Sequence, residues 1–275
     1  MTDQPLVIAP KRVRVHHLRQ MKDAGQKITM LTAYEQFSAE IFSEAGIDVL
    51  LVGDSAGDNV YAHETTLPVT LDDMVPLVRA VSRRAGRPLI VADLPFGTYH
   101  GSAEQAVASA TRLMKEGLAH AVKFEGGQSV LPQVRAVTRA GIPFMGHLGF
   151  TPQAEHALGG KRIQGRDDKG AEAVVSDALA LQDAGAFAVV LEMVPAPLAA
   201  RVSDVLEVPT IGIGAGNQVD GQVLVWTDMA GLTTWSPRFA KRYADVRSVM
   251  LDAARAYASE VRTGSFPDAE HSYAE

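Results

Sequence analysis

The chain of 275 residues predicts a single (β/α)₈ barrel, or TIM barrel, and three features of the sequence lead to this fold. Short apolar runs recur along the chain with little polar alternation, as expected for parallel strands that are buried on both faces. Four helical patterns end on a glycine, a residue that commonly caps a helix, and an apolar run follows each one. Five runs end on a polar, mostly charged residue. Such endings are costly unless the charge faces water, a cation or a substrate.

Each predicted strand is placed by an apolar run, and each helix by an amphipathic segment between two runs. The predicted strands lie near 27–32, 48–53, 89–93, 120–125, 143–147, 187–192, 209–213 and 222–227. The predicted helices lie near 34–45, 71–85, 103–116, 129–140, 170–184, 196–206 and 237–260. The alternation predicts parallel pairing and a closed barrel, and a doubly wound sheet is the alternative fold. The eighth strand has the weakest pattern.

Residues outside this alternation set the limits of the domain. Residues 11–24 have the pattern of an extra N-terminal helix, which we expect to cap the bottom of the barrel. The barrel domain is predicted to span 11–262, between a flexible N-terminus (1–10) and a C-terminal tail (263–275). Two long loops, 54–70 and 148–169, interrupt the pattern. Loops of such length in compact domains are usually functional.

The composition excludes several classes of function. Lys and Arg total 26 against 32 Asp and Glu, a formal charge of −6, so no broad basic field favours nucleic acid. The chain has no cysteine, which excludes disulfides, thiolate nucleophiles and cysteine-based zinc sites. No apolar stretch reaches the roughly 20 residues of a membrane span, and no signal-peptide core is present at the N-terminus. We therefore expect a cytoplasmic protein without a membrane partner.

Three carboxylates follow three different predicted strands: Asp54, Asp93 and Glu125. In a barrel, the carboxyl ends of the strands meet on the face where chemistry takes place. Oxygen ligands without histidine or cysteine suit Mg²⁺ rather than zinc, and a dication relieves the repulsion between gathered anions. The sequence therefore predicts a magnesium site. The alternative is that Asp54 caps a turn or helix and that Asp93 accepts bonds in a turn.

A lysine, a histidine and a fourth carboxylate follow the same pattern. Lys123 is two residues from Glu125 on one strand, so both side chains point to one face, where Lys123 would neutralise a substrate carboxylate or form a structural pair with Glu125. His147 ends the fifth run and is either catalytic or a hydrogen-bonding residue of the core. Glu192 follows an apolar run, in surroundings that raise a carboxyl pKa and suit a general base. An ion-paired Glu192 at the rim is the alternative.

A glycine-rich loop at 212–216 follows the seventh strand, where barrels often bind phosphate, although a tight turn needs the same glycines. A barrel that binds an anionic metabolite at this loop without catalysis is one alternative function. It would have no need of three carboxylates and a base. A carbon–carbon lyase or mutase is another, but such barrels commonly use a loop cysteine, which this chain lacks.

Long motifs in a fixed order resemble those of the ketopantoate hydroxymethyltransferase family, from about residue 12 to the C-terminus. They are MLTAY (30–34), VGDS (52–55), TLPVT (66–70), ADLPF (92–96), VKFEGG (122–127), GHLGFTPQ (146–153), QGR (164–166), EMVP (192–195), IGIGAG (211–216), DGQVLV (220–225) and FP with EH (266–271). The chain departs from the common pattern at 56–59 and 154–157. These departures concern loop detail and folate contacts.

The resemblance implies a barrel of the phosphoenolpyruvate/pyruvate superfamily that binds Mg²⁺ and assembles as a homodecamer. It implies Asp54, Asp93 and Glu125 as metal ligands, Glu192 as the proton acceptor, and four positions that bind the 2-oxo acid: Asp54, Ser55, Asp93 and Lys123. The implied reaction transfers a hydroxymethyl group from 5,10-methylenetetrahydrofolate to 3-methyl-2-oxobutanoate through a magnesium-stabilised enolate. The products are 2-dehydropantoate and tetrahydrofolate, on the route to pantothenate and coenzyme A.

Overall fold

The computed structural model describes residues 8–274, and within them eight parallel strands close into a barrel in sequence order. The strands are β1 (Ile28–Thr32), β2 (Val49–Val52), β3 (Leu89–Asp93), β4 (Ala121–Glu125), β5 (Phe144–Gly149), β6 (Ala186–Glu192), β7 (Thr210–Ile213) and β8 (Gly221–Leu224). Strand β8 pairs back to β1, with Ile28 opposite Gly221. The predicted barrel is confirmed and the doubly wound sheet is excluded.

The helices follow the strands in the predicted order. They are α1 (Val15–Asp23), α2 (Gln36–Glu44), α3 (Ala56–Asn59), α4 (Leu71–Arg84), α5 (Ala103–Lys115), α6 (Leu131–Arg139), α7 (Glu155–Leu158), α8 (Asp168–Asp183), α9 (Ala196–Val205), α10 (Trp226–Met229) and α11 (Val246–Thr263). Several begin at a side-chain cap: Thr70, Ser102 and Asp167 each accept a hydrogen bond from a first-turn backbone N–H. The short helices α3 and α7 lie in the two long loops.

The helix predicted over 237–260 begins later, at Val246, and this part of the prediction is wrong. Asp245 accepts a hydrogen bond from the backbone N–H of Ser248 (3.2 Å), so the helix has its N-cap there. The predicted extension of the eighth strand to 227 is also wrong. The strand ends at Leu224, because the chain turns into α10.

The chain forms two compact units, 1–224 and 225–275, where the sequence predicts one domain over 11–262. The division follows from barrel closure, since β8 ends at Leu224 and completes the sheet. The first unit holds the barrel, and the second holds α10 and α11. Most of the predicted flexible N-terminus lies outside the described residues. Among residues 8–274, no helix combines the length and the apolarity that a membrane crossing requires.

Helix α1 covers the amino end of the barrel, where two aspartates form ion pairs and accept several hydrogen bonds. Leu18 and Met21 of α1 are fully buried, and α1 contacts β1 and β6, as expected for the capping helix. Asp220, directly before β8, accepts hydrogen bonds from the backbone N–H and hydroxyl of Thr210 (2.8 and 3.0 Å) and pairs with Lys22 (2.9 Å).

A second aspartate repeats this arrangement one-quarter of the way around the barrel. Asp48, directly before β2, accepts hydrogen bonds from the backbone N–H and hydroxyl of Thr29 (2.9 and 2.8 Å). Its other oxygen pairs with Arg87 at 2.7 Å. Each amino-end aspartate thus has its own threonine and its own cation.

Candidate active site

Five neighbouring strands bring one functional side chain each to the carboxyl end of the barrel. Four of these side chains are buried and the fifth, that of Glu192, is 16% exposed. They are Asp54 after β2, Asp93 at the end of β3, Glu125 at the end of β4, His147 on β5 and Glu192 at the end of β6. The position of each follows from an apolar run that ends on a polar residue, since the barrel register aligns these ends.

Asp93 connects the second, third and fourth strands. Its Oδ2 accepts a hydrogen bond from the backbone N–H of Asp54 at 3.1 Å, and its Oδ1 lies 3.0 Å from Nζ of Lys123. Neither aspartate therefore has the local turn or cap role that was the alternative. Lys123 has Asp93 as its ion-pair partner rather than Glu125, so the structural Lys–Glu pair is not what holds it.

His147 joins the lysine to the fourth carboxylate. Nζ of Lys123 lies 3.3 Å from Nδ1 of His147, and Nε2 of His147 lies 3.1 Å from Oε2 of Glu192. An ammonium group only donates, so Nδ1 of the neutral ring accepts and Nε2–H donates to Glu192. Glu192 therefore has a nitrogen partner that the sequence did not indicate, and its surroundings are less apolar than expected.

The side chains of Glu125 and Lys123 both point towards His147, as their spacing of two residues on one strand predicts. Its Oε1 lies 3.6 Å from Nδ1 of His147, and its Oε2 accepts a hydrogen bond from the backbone N–H of Gln153 at 2.9 Å. Lysine, histidine and glutamate thus surround one small volume at the end of β4 and β5.

The electrostatics show three anions with a single lysine between them. The pKa of Asp54 is raised well above its ordinary value, first by burial and then by the charges of Asp93 and Glu125. Burial lowers the pKa of Lys123, but the surrounding carboxylates outweigh it and the net shift is upward. Burial and the charge of Lys123 lower the pKa of His147, but the carboxylates of Glu125 and Glu192 outweigh them and the net shift is upward.

Three residues of the site were not predicted as functional from the sequence. A hydrogen bond of 2.8 Å joins the hydroxyl groups of Tyr34 and Ser55, and burial raises the pKa of the Tyr34 hydroxyl. Gln153 and Tyr99 are buried, and they hydrogen-bond to the Asp54 side chain and to the Glu125 backbone N–H, respectively. Tyr34 and Gln153 lie inside quoted motifs, and this was the only available signal, since neither has a charge or a strand-end position that marks a site.

The donor chemistry of the carboxylates fits a magnesium ion. Asp54, Asp93 and Glu125 supply only oxygen, and the pKa of Asp54 is raised first by burial and then by repulsion from Asp93 and Glu125, which a dication relieves. In this structure their oxygens bond to Gln153, Lys123 and the backbone of Asp54. Among residues 8–274, no three histidine or acidic side chains are grouped so as to hold a metal ion. The magnesium site stays a prediction.

Two loops border this end of the barrel. The loop with Lys161, Arg162 and Arg166 is tied beside Glu192, because Gln164 donates its backbone N–H to the carbonyl of Met193 at 3.0 Å. Met193 has a left-handed backbone (φ 47°), an uncommon conformation for a residue with a side chain. The glycine loop 212–216 follows β7, and its Gly216 carbonyl accepts a hydrogen bond from Gln222 at 2.7 Å.

Solved structures with a similar fold include two enzymes of low sequence identity to this chain. Phosphonopyruvate hydrolase, in a complex with oxalate and Mg²⁺, aligns with a TM-score of 0.61 at 16% identity, covering 94% of this chain and 93% of that one. 2,3-Dimethylmalate lyase, a member of the phosphoenolpyruvate mutase/isocitrate lyase superfamily, aligns with a TM-score of 0.57 at 17% identity, covering 91% and 88%. These similarities agree with the barrel fold of this chain.

Sequence comparison gives a narrower result. The model of the family described as ketopantoate hydroxymethyltransferase matches residues 12–269. The 3-methyl-2-oxobutanoate hydroxymethyltransferase of Paenarthrobacter aurescens (strain TC1) is 62% identical over 263 residues, 95% of this chain and 87% of the relative. The protein of that name from Leifsonia xyli subsp. xyli (strain CTCB07) is 56% identical over 273 residues, 99% and 98% of the two chains. As the motifs predict, the chain is an enzyme of the ketopantoate hydroxymethyltransferase family.

Proposed function

We propose that this protein is a 3-methyl-2-oxobutanoate hydroxymethyltransferase of pantothenate and coenzyme A biosynthesis. C3 of 3-methyl-2-oxobutanoate loses its proton and bonds to the methylene carbon of 5,10-methylenetetrahydrofolate, and water supplies the hydroxyl group of that carbon. The two C–N bonds between the methylene group and the folate break, and the folate nitrogens take up one proton in place of the C3 proton and one from water. The products are 2-dehydropantoate and tetrahydrofolate. The observation that carries this proposal is the row Lys123–His147–Glu192, which sets a fixed cation and a carboxylate base on either side of one imidazole.

Lys123 and Ser55 bind the carboxylate of the 2-oxo acid. Lys123 is buried and held by Asp93, so its ammonium group is fixed where few waters compete for it. The Ser55 hydroxyl is oriented by Tyr34. A charge-assisted bond and an oriented hydroxyl together fix the substrate, with C3 directed towards the end of β6.

Glu192 removes the C3 proton. It is the most exposed of the four carboxylates at this end of the barrel, Asp54, Asp93, Glu125 and Glu192. His147 donates Nε2–H to it, which holds one carboxylate oxygen and leaves the other available to the substrate. His147 is thus the auxiliary group of the base, and it keeps this donor in both its neutral and its protonated form.

Asp54, Asp93 and Glu125 are the residues that would hold Mg²⁺. When bound, the ion supplies polarisation of the keto oxygen, on which negative charge develops as C3 loses its proton. Asp93 also bonds to Lys123 and to the backbone of Asp54, so it links the cation ligands to the carboxylate-binding residues.

The basic loop beside Glu192 binds the folate. Lys161, Arg162 and Arg166 are exposed, and their loop is anchored to Met193, the residue after the base. The carboxylates of the folate glutamate tail are suitable partners for these cations. The family resemblance adds a homodecamer as the working assembly, which the mass of the protein in solution by light scattering tests directly.

The activity is tested with the purified protein, the 2-oxo acid, 5,10-methylenetetrahydrofolate and Mg²⁺. We expect NMR to show 2-dehydropantoate in an amount equal to the tetrahydrofolate formed. A parallel reaction with 2,3-dimethylmalate tests the lyase alternative, for which we expect no cleavage. Absence of 2-dehydropantoate with folded, metal-loaded protein would contradict the proposal, as would cleavage of the malate.

A further inference from the structure

Gln153 directs its side-chain amide and its backbone N–H to residues around the carboxylate cluster. It lies in the 3₁₀ turn Pro152–Ala154 after β5, and its side chain is buried. Nε2 donates to Oδ2 of Asp54 at 2.7 Å and to the carbonyl of Leu94 at 3.0 Å. Oε1 accepts from the hydroxyl of Tyr99 at 2.8 Å, and the backbone N–H donates to Glu125 at 2.9 Å.

The orientation of this amide is fixed by its neighbours. A backbone carbonyl only accepts, so the amide nitrogen must face Leu94 and the amide oxygen must face Tyr99. Tyr99 therefore donates to Gln153 at 2.8 Å, a shorter distance than the 3.2 Å to the carbonyl of Glu125, and the phenol oxygen accepts from the backbone N–H of Glu125 at 3.2 Å. The reversed amide would lose its bonds to the Leu94 carbonyl and to the Asp54 carboxylate.

Tyr99 is itself closely packed. Its ring is fully buried, with its centroid 4.7 Å from that of Phe124 and 4.0 Å from that of His100. The buried phenol of Tyr99 thus bonds to the amide of Gln153. Through these two residues, Glu125 at the end of β4 is connected to Asp54 after β2.

The consequence for the carboxylates is that two of them receive a neutral donor from one residue. Lys123 compensates the charge of Asp93, but Gln153 bonds to Asp54 and Glu125 without neutralising either. The bonds from Gln153 therefore fix the positions of the two carboxylates, while their negative charge remains available to a cation. Partners of this kind orient metal ligands and are typically worth 10–100-fold in metal affinity.

We propose that Gln153, locked by Tyr99, is a positioning residue that aligns Asp54 and Glu125 for a single divalent cation. This inference rests on the proposed magnesium site. It assigns to a neutral turn residue the task of fixing two ligands that come from separate strands.

The test measures Mn²⁺ affinity by the loss of the free-ion EPR signal, in wild type and variants without substrate. Gln153→Leu keeps the size and the backbone donor but removes the amide, and we expect its Kd to rise about 10–100-fold. Tyr99→Phe keeps the ring and removes the phenol, and we expect a smaller rise. The matched control is Gln133→Leu, another buried glutamine, whose Oε1 has no hydrogen-bond partner among the described residues.

Thermal unfolding of the metal-free variants separates positioning from general stability. A purely structural role predicts a lower melting temperature with wild-type Mn²⁺ affinity in both Gln153→Leu and Tyr99→Phe, and this result would overturn the inference alone. Tyr99→Phe decides the matter if Gln153→Leu does not fold. Wild-type protein that binds no Mn²⁺ would overturn the magnesium site as well, whereas Mn²⁺ binding without 2-dehydropantoate formation would overturn the proposed activity only.

Discussion

The two ends of the barrel use the same residue types to opposite effect. At the amino end, Asp48 and Asp220 each have a threonine that donates twice and a cation of their own, Arg87 and Lys22. At the carboxyl end, Lys123 pairs with Asp93, and the donors near Asp54 and Glu125 are neutral or belong to His147.

The aspartates at the amino end are compensated by their partners and stabilise the fold, whereas the carboxylates at the carboxyl end are incompletely compensated and remain available for chemistry. Removing one partner of a buried ion pair leaves the other charge uncompensated, so the loss of either partner lowers the stability of the fold. An incompletely compensated cluster destabilises the protein until a ligand of opposite charge binds. The raised pKa of Asp54 is the mark of this second condition.

The largest expected effect is on chemistry at the carboxyl end. We expect Glu192→Gln to slow exchange of the C3 proton of 3-methyl-2-oxobutanoate with D₂O by about 10²–10⁴-fold, because the amide cannot accept that proton. NMR follows the exchange, and Mg²⁺ affinity should stay near that of the wild type. Exchange at the wild-type rate would assign the base to another residue.

At the amino end, the expected effect is on stability alone. Arg87→Met leaves Asp48 buried without its cation, and we expect the free energy of unfolding to fall by about 3–5 kcal/mol. Urea unfolding measures this change. The proton-exchange rate per folded molecule should not change, and a loss of exchange at unaltered stability would erase the distinction between the two ends.

The sequence predicted the strand ends and the charged side chains of the site, but not the contacts that organise them. Runs such as 49–52 and 89–92 define buried strands, so a barrel places Asp54 and Asp93 on one face without further information. Gln153 was not identified because it is uncharged, and its bonds to Tyr99 and Asp54 connect residues far apart in the chain. Helix α11 was started too early because the cap at Asp245 was not recognised.

A smaller effect is expected for Asp54→Asn, which should raise the melting temperature of the metal-free protein rather than lower it. The folded-state pKa of Asp54 lies above its ordinary value of 3.8, so the folded protein binds this proton more tightly than the unfolded chain. The contribution of Asp54 to stability therefore falls as the pH rises through that interval. We expect the metal-free variant to melt higher than wild type at pH 8, by about 2–4 °C per kcal/mol gained.

Differential scanning calorimetry at pH 8 and at pH 4 checks this sign. The advantage of the variant should be smaller at pH 4, where Asp54 of the wild type retains its proton. A metal-free Asp54→Asn protein that melts at or below the wild-type temperature at pH 8 would show that the carboxylates are already compensated.

The smallest effect is expected at His120, on the amino end directly before β4. Burial, and then the charges of Arg12 and Arg14, lower the pKa of His120 to about 4 from an ordinary 6.5. The unfolded chain binds the proton more tightly, so stability should fall as the pH drops from about 6.5 towards 4. Urea unfolding should show a shallower fall for His120→Gln, and an identical pH profile would count against the shift.

The most direct test of the contrast between the two ends is a calorimetric titration of the wild-type protein with Mg²⁺. In two buffers of different ionisation enthalpy, we expect one ion to bind per chain, with a release of protons that grows as the pH is lowered, because the cation must displace the proton that the raised pKa of Asp54 favours. The same titration of Asp54→Asn should show binding weakened or lost. Saturable binding with unchanged affinity and proton release in Asp54→Asn, or no binding to the wild type, would contradict a carboxyl end that is built to receive a cation.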